Sequence, residues 1–474
     1  MTEFAKTGVL TLQEAHRLHE EGKLEEAEKQ YIALLNKHHD NWALLQYLGC
    51  LYLQQGKNGL AMALFRRSLE LNKECPETWN DLGLAYKNEF QHEQAKKCYF
   101  QSMKYDKSTE NEVKVLANLT GVYVAEGNPE EGLPLALRAI SLKPGNVGAH
   151  WNLALMLLEM GNYKDGFKEY EWGLMLDPNN KTQRHSRTYA WTHDDGTAEP
   201  CPLWDGTKGK TVVVYGEQGI GDEIMFASCI PDLMRDCKEV IFDCHPRLER
   251  LFRDSFPGVI LHPTRKEDTL FWRGEHRIDY QVAIGSLPYF YRRNGFEKKA
   301  YLKAHPKPKT GKPRIGIGWI GGAKSTRIEV RSMHLRWLLP ILQQDAEFYS
   351  LQYNDKSSEI KDVDVEIIET GQEKSQDYGE CADLVAGLDL VIAVNTSVVH
   401  LAGALGVPCW TLTPNKPAWR YGIKGEDMLW YPSVRQFRQG KDEDWGKVIE
   451  RVSNELKGYL ADHGRVQEAE RAVA

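Results

Sequence analysis

The sequence lacks several features that would assign a class of protein directly. Its nine cysteines are scattered over 474 residues and none forms a C-x-x-C pair. This spacing argues against structural zinc motifs and indicates a reducing compartment. No stretch reaches the ~18 consecutive apolar residues of a membrane span, and Met1–Lys6 lacks the basic-then-apolar layout of a secretory signal. Together these absences predict a cytoplasmic protein without a transmembrane segment.

An excess of charge of one sign is missing as well. The chain carries 60 Lys and Arg against 67 Asp and Glu, a formal net charge of −7. No global basic field therefore suggests a nucleic-acid partner. The apolar fraction of 42% and the charged fraction of 27% are those of an ordinary globular protein. A chain of this length is expected to form roughly two to four domains.

The N-terminal third of the chain contains a repeat of 34 residues. The pairs at this interval include Gly22 and Gly56, Ala27 and Ala61, Tyr31 and Phe65, Gly127 and Gly161, and Pro144 and Pro178. This period, with small residues where helices cross and an aromatic residue on the second helix, is typical of the tetratricopeptide repeat. The register predicts five repeats within 8–180. They span residues 8–41, 42–75, 76–109, 113–146 and 147–180.

Such arrays stack into a curved α-solenoid whose concave face binds peptides or protein segments. We therefore expect the repeat groove to bind a partner or an acceptor, whose identity the repeats do not reveal. Asn118 and Asn152 recur at one position of the first helices and could hydrogen-bond the backbone of an extended peptide. The alternative is an array that only docks on the rest of the chain or mediates self-association.

The pattern changes after the repeats. Residues 181–210 collect Thr, His, Asp, Gly and Pro and are predicted to be a linker. Thr211–Tyr215 is an apolar strand pattern, and alternating strand and helix patterns continue over 211–305. This alternation predicts a parallel, doubly wound sheet, a Rossmann-like domain. Its ligand crevice should lie at the carboxyl ends of the strands.

A glycine-rich loop follows the first strand of this domain, with the sequence Gly-Glu-Gln-Gly-Ile-Gly-Asp-Glu at 216–223. The spacing is neither the dinucleotide fingerprint nor a P-loop. Gly219 and Gly221 would let the backbone approach a ligand. Asp222, at the start of the next helix, is either a simple helix cap or a general base that faces the cleft. Glu217 is a second candidate carboxylate.

A Pro- and Lys-rich stretch at 306–313 predicts a hinge, and a second Rossmann-like domain is expected over 314–460, followed by a tail at 461–474. A strand is expected at 365–367. The final helix, near 444–460, is expected to cross back onto the first domain. Lys324, Arg327 and Arg331 follow the first strand of the second domain and would bind phosphate, unless they only form a solvated loop.

The most informative stretch of the second domain is Asn395-Thr396-Ser397-Val398-Val399-His400. It lies between an apolar strand pattern and a helix rich in small residues. Thr396 or Ser397 is expected to cap the helix, whose N-terminus favours an anion. His400 falls in the first turn, where a ring N–H could reach a diphosphate oxygen. The alternative is an ordinary capped helix with a buried structural histidine.

Together these motifs resemble the ADP-heptose:lipopolysaccharide heptosyltransferase-like glycosyltransferases, in particular bacterial members with a tetratricopeptide array ahead of the transferase. The resemblance covers essentially the whole chain and rests on 216–223 and 395–408. It implies a GT-B pair of Rossmann-like domains after the α-solenoid. It also implies an inverting, metal-independent transfer from a nucleotide-diphosphate sugar, without a further cofactor, to a protein or glycan hydroxyl.

The resemblance also implies roles for individual residues. Asp222 matches the family's proposed base. Gly219, Gly221, Lys324, Arg331, Asn395, Thr396, Ser397 and His400 would form the donor site. The family usually carries Asp at the position of Asn395. The resemblance therefore does not fix the sugar or the nucleotide base of the donor. Two other readings remain: an inactive body that serves as a repeat scaffold for partners, and a nucleotide-sugar epimerase on the same two-domain fold.

Overall fold

The computed structural model describes residues 3–176, 184, 187, 189–192, 198–265, 272, 276–306, 311–322, 328–372, 375–441 and 443–473. The chain divides into two compact units, Met1–Met156 and Leu157–Ala474. The division falls inside the fifth predicted repeat. Its second helix thus belongs to the second unit.

The predicted repeats correspond to successive helix pairs. In chain order the helices are α1 (Glu3–Glu20), α2 (Leu24–Lys37), α3 (Trp42–Gln54), α4 (Asn58–Leu71), α5 (Pro76–Asn88), α6 (His92–Tyr105), α7 (Thr109–Glu126), α8 (Pro129–Leu142), α9 (Val147–Glu159) and α10 (Tyr163–Tyr170). The predicted repeats leave residues 110–112 between the third and the fourth, and α7 accounts for this gap because it has 18 residues where α3 and α5 have 13.

Small residues let the paired helices approach each other, as the sequence predicts. A Cβ atom on Gly83 would lie 2.6 Å from the Tyr99 ring, and one on Gly49 would lie 2.6 Å from the Phe65 ring. Real Cβ atoms do not come this close, so only glycine fits at these two crossings. The two rings are fully buried in the space that the missing side chains leave.

The turn between paired helices needs a left-handed residue. Gly22, Gly56, Gly127 and Gly161 supply it with positive φ angles, which glycine adopts without a steric penalty. The equivalent position after α5 carries Phe90, at φ 57°. A bulky residue in this conformation is uncommon and stores strain. The fold therefore imposes the turn even where the sequence lacks glycine.

The second unit continues after α10 with strands and short helices. The strands are β1 (Ala190–Thr192), β2 (Ala198–Pro200), β3 (Thr211–Tyr215), β4 (Glu239–Asp243), β5 (Ile260–His262), β6 (Tyr280–Ala283), β7 (Arg314–Gly318), β8 (Glu347–Ser350), β9 (Ile368–Glu369), β10 (Leu390–Val394), β11 (Cys409–Thr413) and β12 (Val434–Arg438). The helices are α11 (Ile220–Phe226), α12 (Ile230–Asp236), α13 (Glu249–Ser255), α14 (Leu287–Tyr291), α15 (Ile328–Arg331), α16 (Leu339–Leu342), α17 (Ser357–Lys361), α18 (Tyr378–Ala386), α19 (Ser397–Leu405) and α20 (Trp445–Val473).

Two parallel sheets organise this unit. The first has the order β5-β4-β3-β6 and the second the order β12-β11-β10-β7-β8-β9, with parallel pairing throughout both. The second order, read from β9, is the 3-2-1-4-5-6 order of doubly wound nucleotide-binding sheets. The strand order reverses between β3 and β6 in one sheet and between β7 and β10 in the other. Ligands of such sheets bind at these reversal points, beyond the carboxyl ends of the strands.

The C-terminal helix differs from its predicted position and length. Val448, Ile449, Val452 and Leu456 of α20 are buried in the core of the second sheet, so the helix packs on its own sheet instead of crossing to the first. The backbone of α20 also continues helical to Val473, where a tail was expected. The third strand of this sheet, β9, begins just after the predicted 365–367, and Ile367, which precedes it, is buried in the core.

The predicted linker contributes to the first sheet. Tyr189 is fully buried in its core, and the backbone N–H of Trp204 donates to the carbonyl of Gln281 in β6. Arg184 is buried as well. The predicted linker 181–210 thus has several buried side chains, held by ion pairing and ring packing. The predicted hinge at 306–313 lies partly outside the described residues, at 307–310.

Candidate functional site

Two helix N-termini meet where the two sheets present their carboxyl ends. The first, that of α11, follows β3 through the glycine-rich loop, and the second, that of α19, follows β10. A Cβ atom on Gly221 would lie 3.2 Å from Cα of Ser397 and 3.3 Å from Cδ2 of His400. Glycine at 221 therefore allows the first turns of the two helices to touch. The structure brings the two sequence motifs into one site.

The glycine-rich loop is held by buried polar contacts. Glu217 is buried, accepts from Nε of Arg184 at 2.9 Å and also accepts from the backbone N–H of Gly285 at 3.1 Å. The left-handed residue of the loop is Gln218, at φ 60°. Its Nε2 donates to the Tyr170 hydroxyl at 3.0 Å. Glu217 is thus committed to a structural ion pair, which leaves Asp222 as the carboxylate at the crevice.

Asp222 lies in the first turn of α11 and is mostly buried. Its Oδ2 accepts from the backbone N–H of Gly219 at 3.2 Å, so the carboxylate closes the helix start from the third helical position. Its Oδ1 forms an ion pair with Arg420, which is carried by the segment between β11 and β12. Asp222 therefore caps the start of α11 and also forms an ion pair with the segment that connects β11 to β12 in the second sheet.

Arg331 lies next to this ion pair. Its Nε donates to the carbonyl of Gly321 at 2.9 Å and its Nη1 donates to the carbonyl of Asn395 at 3.2 Å. Burial lowers the pKa of Arg331, and the nearby charge of Arg420 acts in the same direction. Two guanidinium groups thus share the site with one carboxylate. Two other predicted phosphate ligands, Lys324 and Arg327, lie outside the described residues.

Asn395 is buried and directs its side chain into the second sheet. Its Oδ1 accepts from the hydroxyl of Thr411 at 2.8 Å and from that of Thr413 at 3.3 Å. The side chain therefore anchors the end of β10 to β11. What Asn395 presents at the site is its backbone carbonyl, which holds Arg331.

The expected side-chain cap of α19 is absent. Thr396 occupies the N-cap position in an extended conformation, but its side chain makes no capping hydrogen bond. Ser397 does not replace it, because its Oγ accepts from the Tyr378 hydroxyl at 2.9 Å. The prediction that either residue caps the helix is wrong. The first N–H groups of α19 thus lack a side-chain cap where an anion is expected.

His400 matches the alternative of a buried structural histidine. Its Nδ1 lies 3.2 Å from the Tyr431 hydroxyl and its Nε2 lies 3.4 Å from the Tyr421 hydroxyl. Burial lowers the pKa of His400 well below 6.5, and the charges of Arg420 and Arg331 lower it further. The imidazole is therefore neutral near pH 7, with a tyrosine hydroxyl at each ring nitrogen.

The neutral state of His400 predicts a pH-dependent stability. Because the unfolded chain protonates this histidine near pH 6.5 while the folded chain does not, folding should weaken as the pH falls below about 6.5. The limiting slope is about 1.4 kcal/mol per pH unit. His400→Gln should flatten this part of the curve. The test is urea unfolding of both proteins between pH 8 and pH 5; parallel curves would contradict the assignment.

Three further residues of the site escaped the sequence analysis in part or in full. Arg420, on the segment between β11 and β12, has no role in the predicted donor site. Arg184 lies in the predicted linker, and Tyr170 lies in the repeats. Tyr170 contacts Gln218 through its hydroxyl and Trp419 edge-on at 6.0 Å. Arg184 and Tyr170 lie outside the strand-to-helix loops in which doubly wound sheets bind nucleotides, and no motif marks Arg420.

The predicted peptide-binding asparagines of the repeats make internal contacts. Nδ2 of Asn118 donates to Oδ1 of Asn80 at 2.8 Å. Nδ2 of Asn152 donates to the carbonyl of Ala117 at 3.0 Å and to Oγ1 of Thr120 at 2.9 Å. These amide donors link successive repeats. A peptide in the groove would have to compete with those bonds.

Comparison with known proteins identifies the repeats. Tetratricopeptide-repeat models match residues 12–77, 76–109 and 122–171. The N-terminal repeats are tetratricopeptide repeats. Arrays of this kind present a concave surface to protein partners. Over 456 residues the chain is 26% identical to Protein FlbA of Caulobacter vibrioides (strain ATCC 19089 / CIP 103742 / CB 15), which covers 87% of this chain and 72% of that protein.

The solved structures that are similar to the chain each cover about a third of it. The crystal structure of MamA is 19% identical and covers 34% of this chain and 92% of its own, with a TM-score of 0.30. A structure of pilF from Pseudomonas aeruginosa is 15% identical and covers 37% of this chain and 79% of its own, with a TM-score of 0.33. YrrB, described as a TPR protein with an unusual peptide-binding site, is 16% identical over 32% of this chain and 76% of its own, with a TM-score of 0.26.

The described part of the chain lacks two further features. None of the helices described there is both long and apolar enough to cross a bilayer. Across the same residues, no three side chains of His, Cys, Asp or Glu come together as candidate metal ligands. The expectation of a metal-independent reaction stays a prediction.

Proposed function

We propose that the second unit is an inverting glycosyltransferase of the GT-B type that uses a nucleotide-diphosphate sugar without a metal ion. The observation that carries this proposal is the meeting of α11 and α19, with Asp222 on one side and Arg331 and Arg420 on the other. A carboxylate and two guanidinium groups lie at the carboxyl ends of two parallel sheets, where such folds bind ligands. The carboxylate is suited to act as a base, and the two guanidinium groups are suited to bind a leaving diphosphate.

The chemistry assigns one task to each side of the site. Asp222 takes the proton of an acceptor hydroxyl, and the acceptor oxygen bonds to the anomeric carbon from the face opposite the diphosphate. The bond between that carbon and the diphosphate oxygen breaks, and its electron pair leaves with the diphosphate. Arg331, Arg420 and the uncapped N-terminus of α19 stabilise the charge that develops there. Lys324 is proposed to join them.

The repeats support a macromolecular acceptor. They are protein-binding modules, and α10 of the fifth repeat packs against the segment that carries Arg420. Phe167 and Tyr170 each lie 6.0 Å from the Trp419 ring, edge to face. An acceptor that binds the repeats would thus be held by the same chain that carries the transfer site. We propose a protein or glycan acceptor for this reason.

A panel of nucleotide sugars tests the proposed function. The full chain should gain thermal stability with one of the ADP-, UDP- or GDP-linked sugars, because a ligand that binds only the folded state stabilises it. The matching nucleoside diphosphate should be released when acceptor is added. A CMP-linked sugar, which carries a single phosphate, serves as the control and should stabilise less. If no diphosphate sugar stabilises the protein, the proposal fails.

A scaffold without transferase activity is the second candidate, and one observation favours it. The Asp222 carboxylate is engaged on both oxygens, by Gly219 and Arg420, and both nitrogens of His400 have tyrosine neighbours. Neither Asp222 nor His400 therefore requires a ligand to complete its contacts. Failure of the whole panel, together with partner binding by the repeats, would support this second function.

A further inference from the structure

The ion pair between Asp222 and Arg420 occupies the carboxylate that the proposed transfer needs as a base. We propose that Arg420 binds the leaving diphosphate and that this binding releases Asp222 for catalysis. The inference rests on the proposed function, since it assigns a further residue and an order of events to the same site.

The hydrogen bonding of Arg420 is incomplete. One Nη group donates to Oδ1 of Asp222, whereas Nε is buried and has no hydrogen-bond partner among the described residues. A guanidinium group has five N–H donors in a planar fork that matches the oxygens of a carboxylate or a phosphate. A buried donor without a partner is costly. A ligand with several acceptor oxygens would satisfy what the single carboxylate oxygen leaves open.

The net positive charge of the site favours an anionic ligand. Arg331 and Arg420 supply two positive charges, and Asp222 supplies one negative charge. Burial lowers the pKa of Arg331, and the positive charge of Arg420 acts in the same direction. His400 is neutral and adds no charge. A diphosphate compensates both arginines, and it competes directly with Asp222 for Arg420.

This competition sets an order of events. Before donor binding, Asp222 accepts from Gly219 and from Arg420. When the diphosphate takes Arg420, Oδ1 of Asp222 is left to accept the hydrogen of the acceptor hydroxyl. The proton then passes to Asp222, while the electron pair of the broken sugar–oxygen bond stays on the diphosphate beside Arg420. The base is thus exposed only when a donor is in place.

Inorganic pyrophosphate is the probe, because it carries the diphosphate without any sugar or base. Its affinity for the full chain is measured by calorimetry in wild type and in three variants. Arg420→Gln should weaken binding about tenfold or more, the usual effect of losing a charged hydrogen bond. Asp222→Asn should tighten binding about tenfold, since it removes the competing carboxylate. Arg435→Gln, at an exposed arginine paired with Glu426 and Glu455, is the control and should leave affinity unchanged.

The opposite signs of the two effects make the test decisive. A purely structural ion pair would weaken binding in both variants, and that result overturns the proposal, as does unchanged affinity in Arg420→Gln. If circular dichroism shows that Arg420→Gln is misfolded, the gain in Asp222→Asn decides alone. The opposed shifts without turnover of any nucleotide sugar would keep the anion site and remove the transferase. Turnover with flat pyrophosphate affinities would keep the transferase and remove this role of Arg420.

Discussion

Asp222→Asn should lower the rate of sugar transfer at least about 100-fold, the smallest effect usual for the loss of a general base. The amide keeps the size of the side chain and can still accept from the Gly219 N–H, so α11 should stay folded. It cannot take a proton from the acceptor. We therefore expect a large loss of kcat with donor affinity retained or improved, measured as release of the nucleoside diphosphate.

Asp345→Asn is the matched control for this change. Asp345 is exposed, pairs with Lys312, and precedes β8 at the amino end of the second sheet, away from the crevice. Its replacement should leave the rate unchanged. If Asp222→Asn transfers sugar at the rate of this control, Asp222 is not the base, and the deprotonating group must be sought elsewhere in the crevice.

Arg184→Met should destabilise the second unit by about 3–5 kcal/mol, the usual cost of leaving one member of a buried ion pair without its partner. The side chains of Arg184 and Glu217 are both fully buried. Arg184 also donates to Glu171, to Ser286 and to the carbonyl of Tyr170. Its loss leaves the buried charge of Glu217 uncompensated within the glycine-rich loop. Urea unfolding, followed by tryptophan fluorescence, measures the shift.

A double variant separates charge from packing in this prediction. Glu217→Gln in the Arg184→Met background removes the stranded charge and keeps an acceptor for the Gly285 N–H. It should recover a substantial part of the lost stability. Arg435→Gln, which removes an exposed guanidinium, should shift the unfolding curve little. Equal stability of the single and double variants would show that the charge of Glu217 is not the cause.

The parts of the structure that follow from local sequence were predictable. The helix pairs follow from the 34-residue period, and β3 and β7 begin at the predicted residues 211 and 314. Gly221 and His400 were expected at one site, and the two helix starts do meet there. Each of these features depends on hydrophobic periodicity or on the geometry of a strand-to-helix turn. Both are encoded within a few residues.

The parts that depend on distant partners were not predictable. The capping role of Ser397 fails because Tyr378, from the preceding helix, engages its hydroxyl. The amide of Asn395 serves two threonines of β11. Arg184 is buried because three separate segments offer it acceptors. The tertiary packing determines which partner each of these side chains contacts, and no local sequence pattern predicts that partner.

The position of α10 has a consequence for how this chain can change in evolution. By sequence α10 closes the last repeat, but its aromatic residues pack on Trp419 and Phe296, inside the second unit. A deletion of the whole fifth repeat would therefore also remove the hydrogen bond between Tyr170 and Gln218. Such arrays commonly diversify by the gain and loss of whole repeats. These changes leave the crevice intact only where they occur before α10 in the chain. The array is free to vary in length at one end and is fixed at the other.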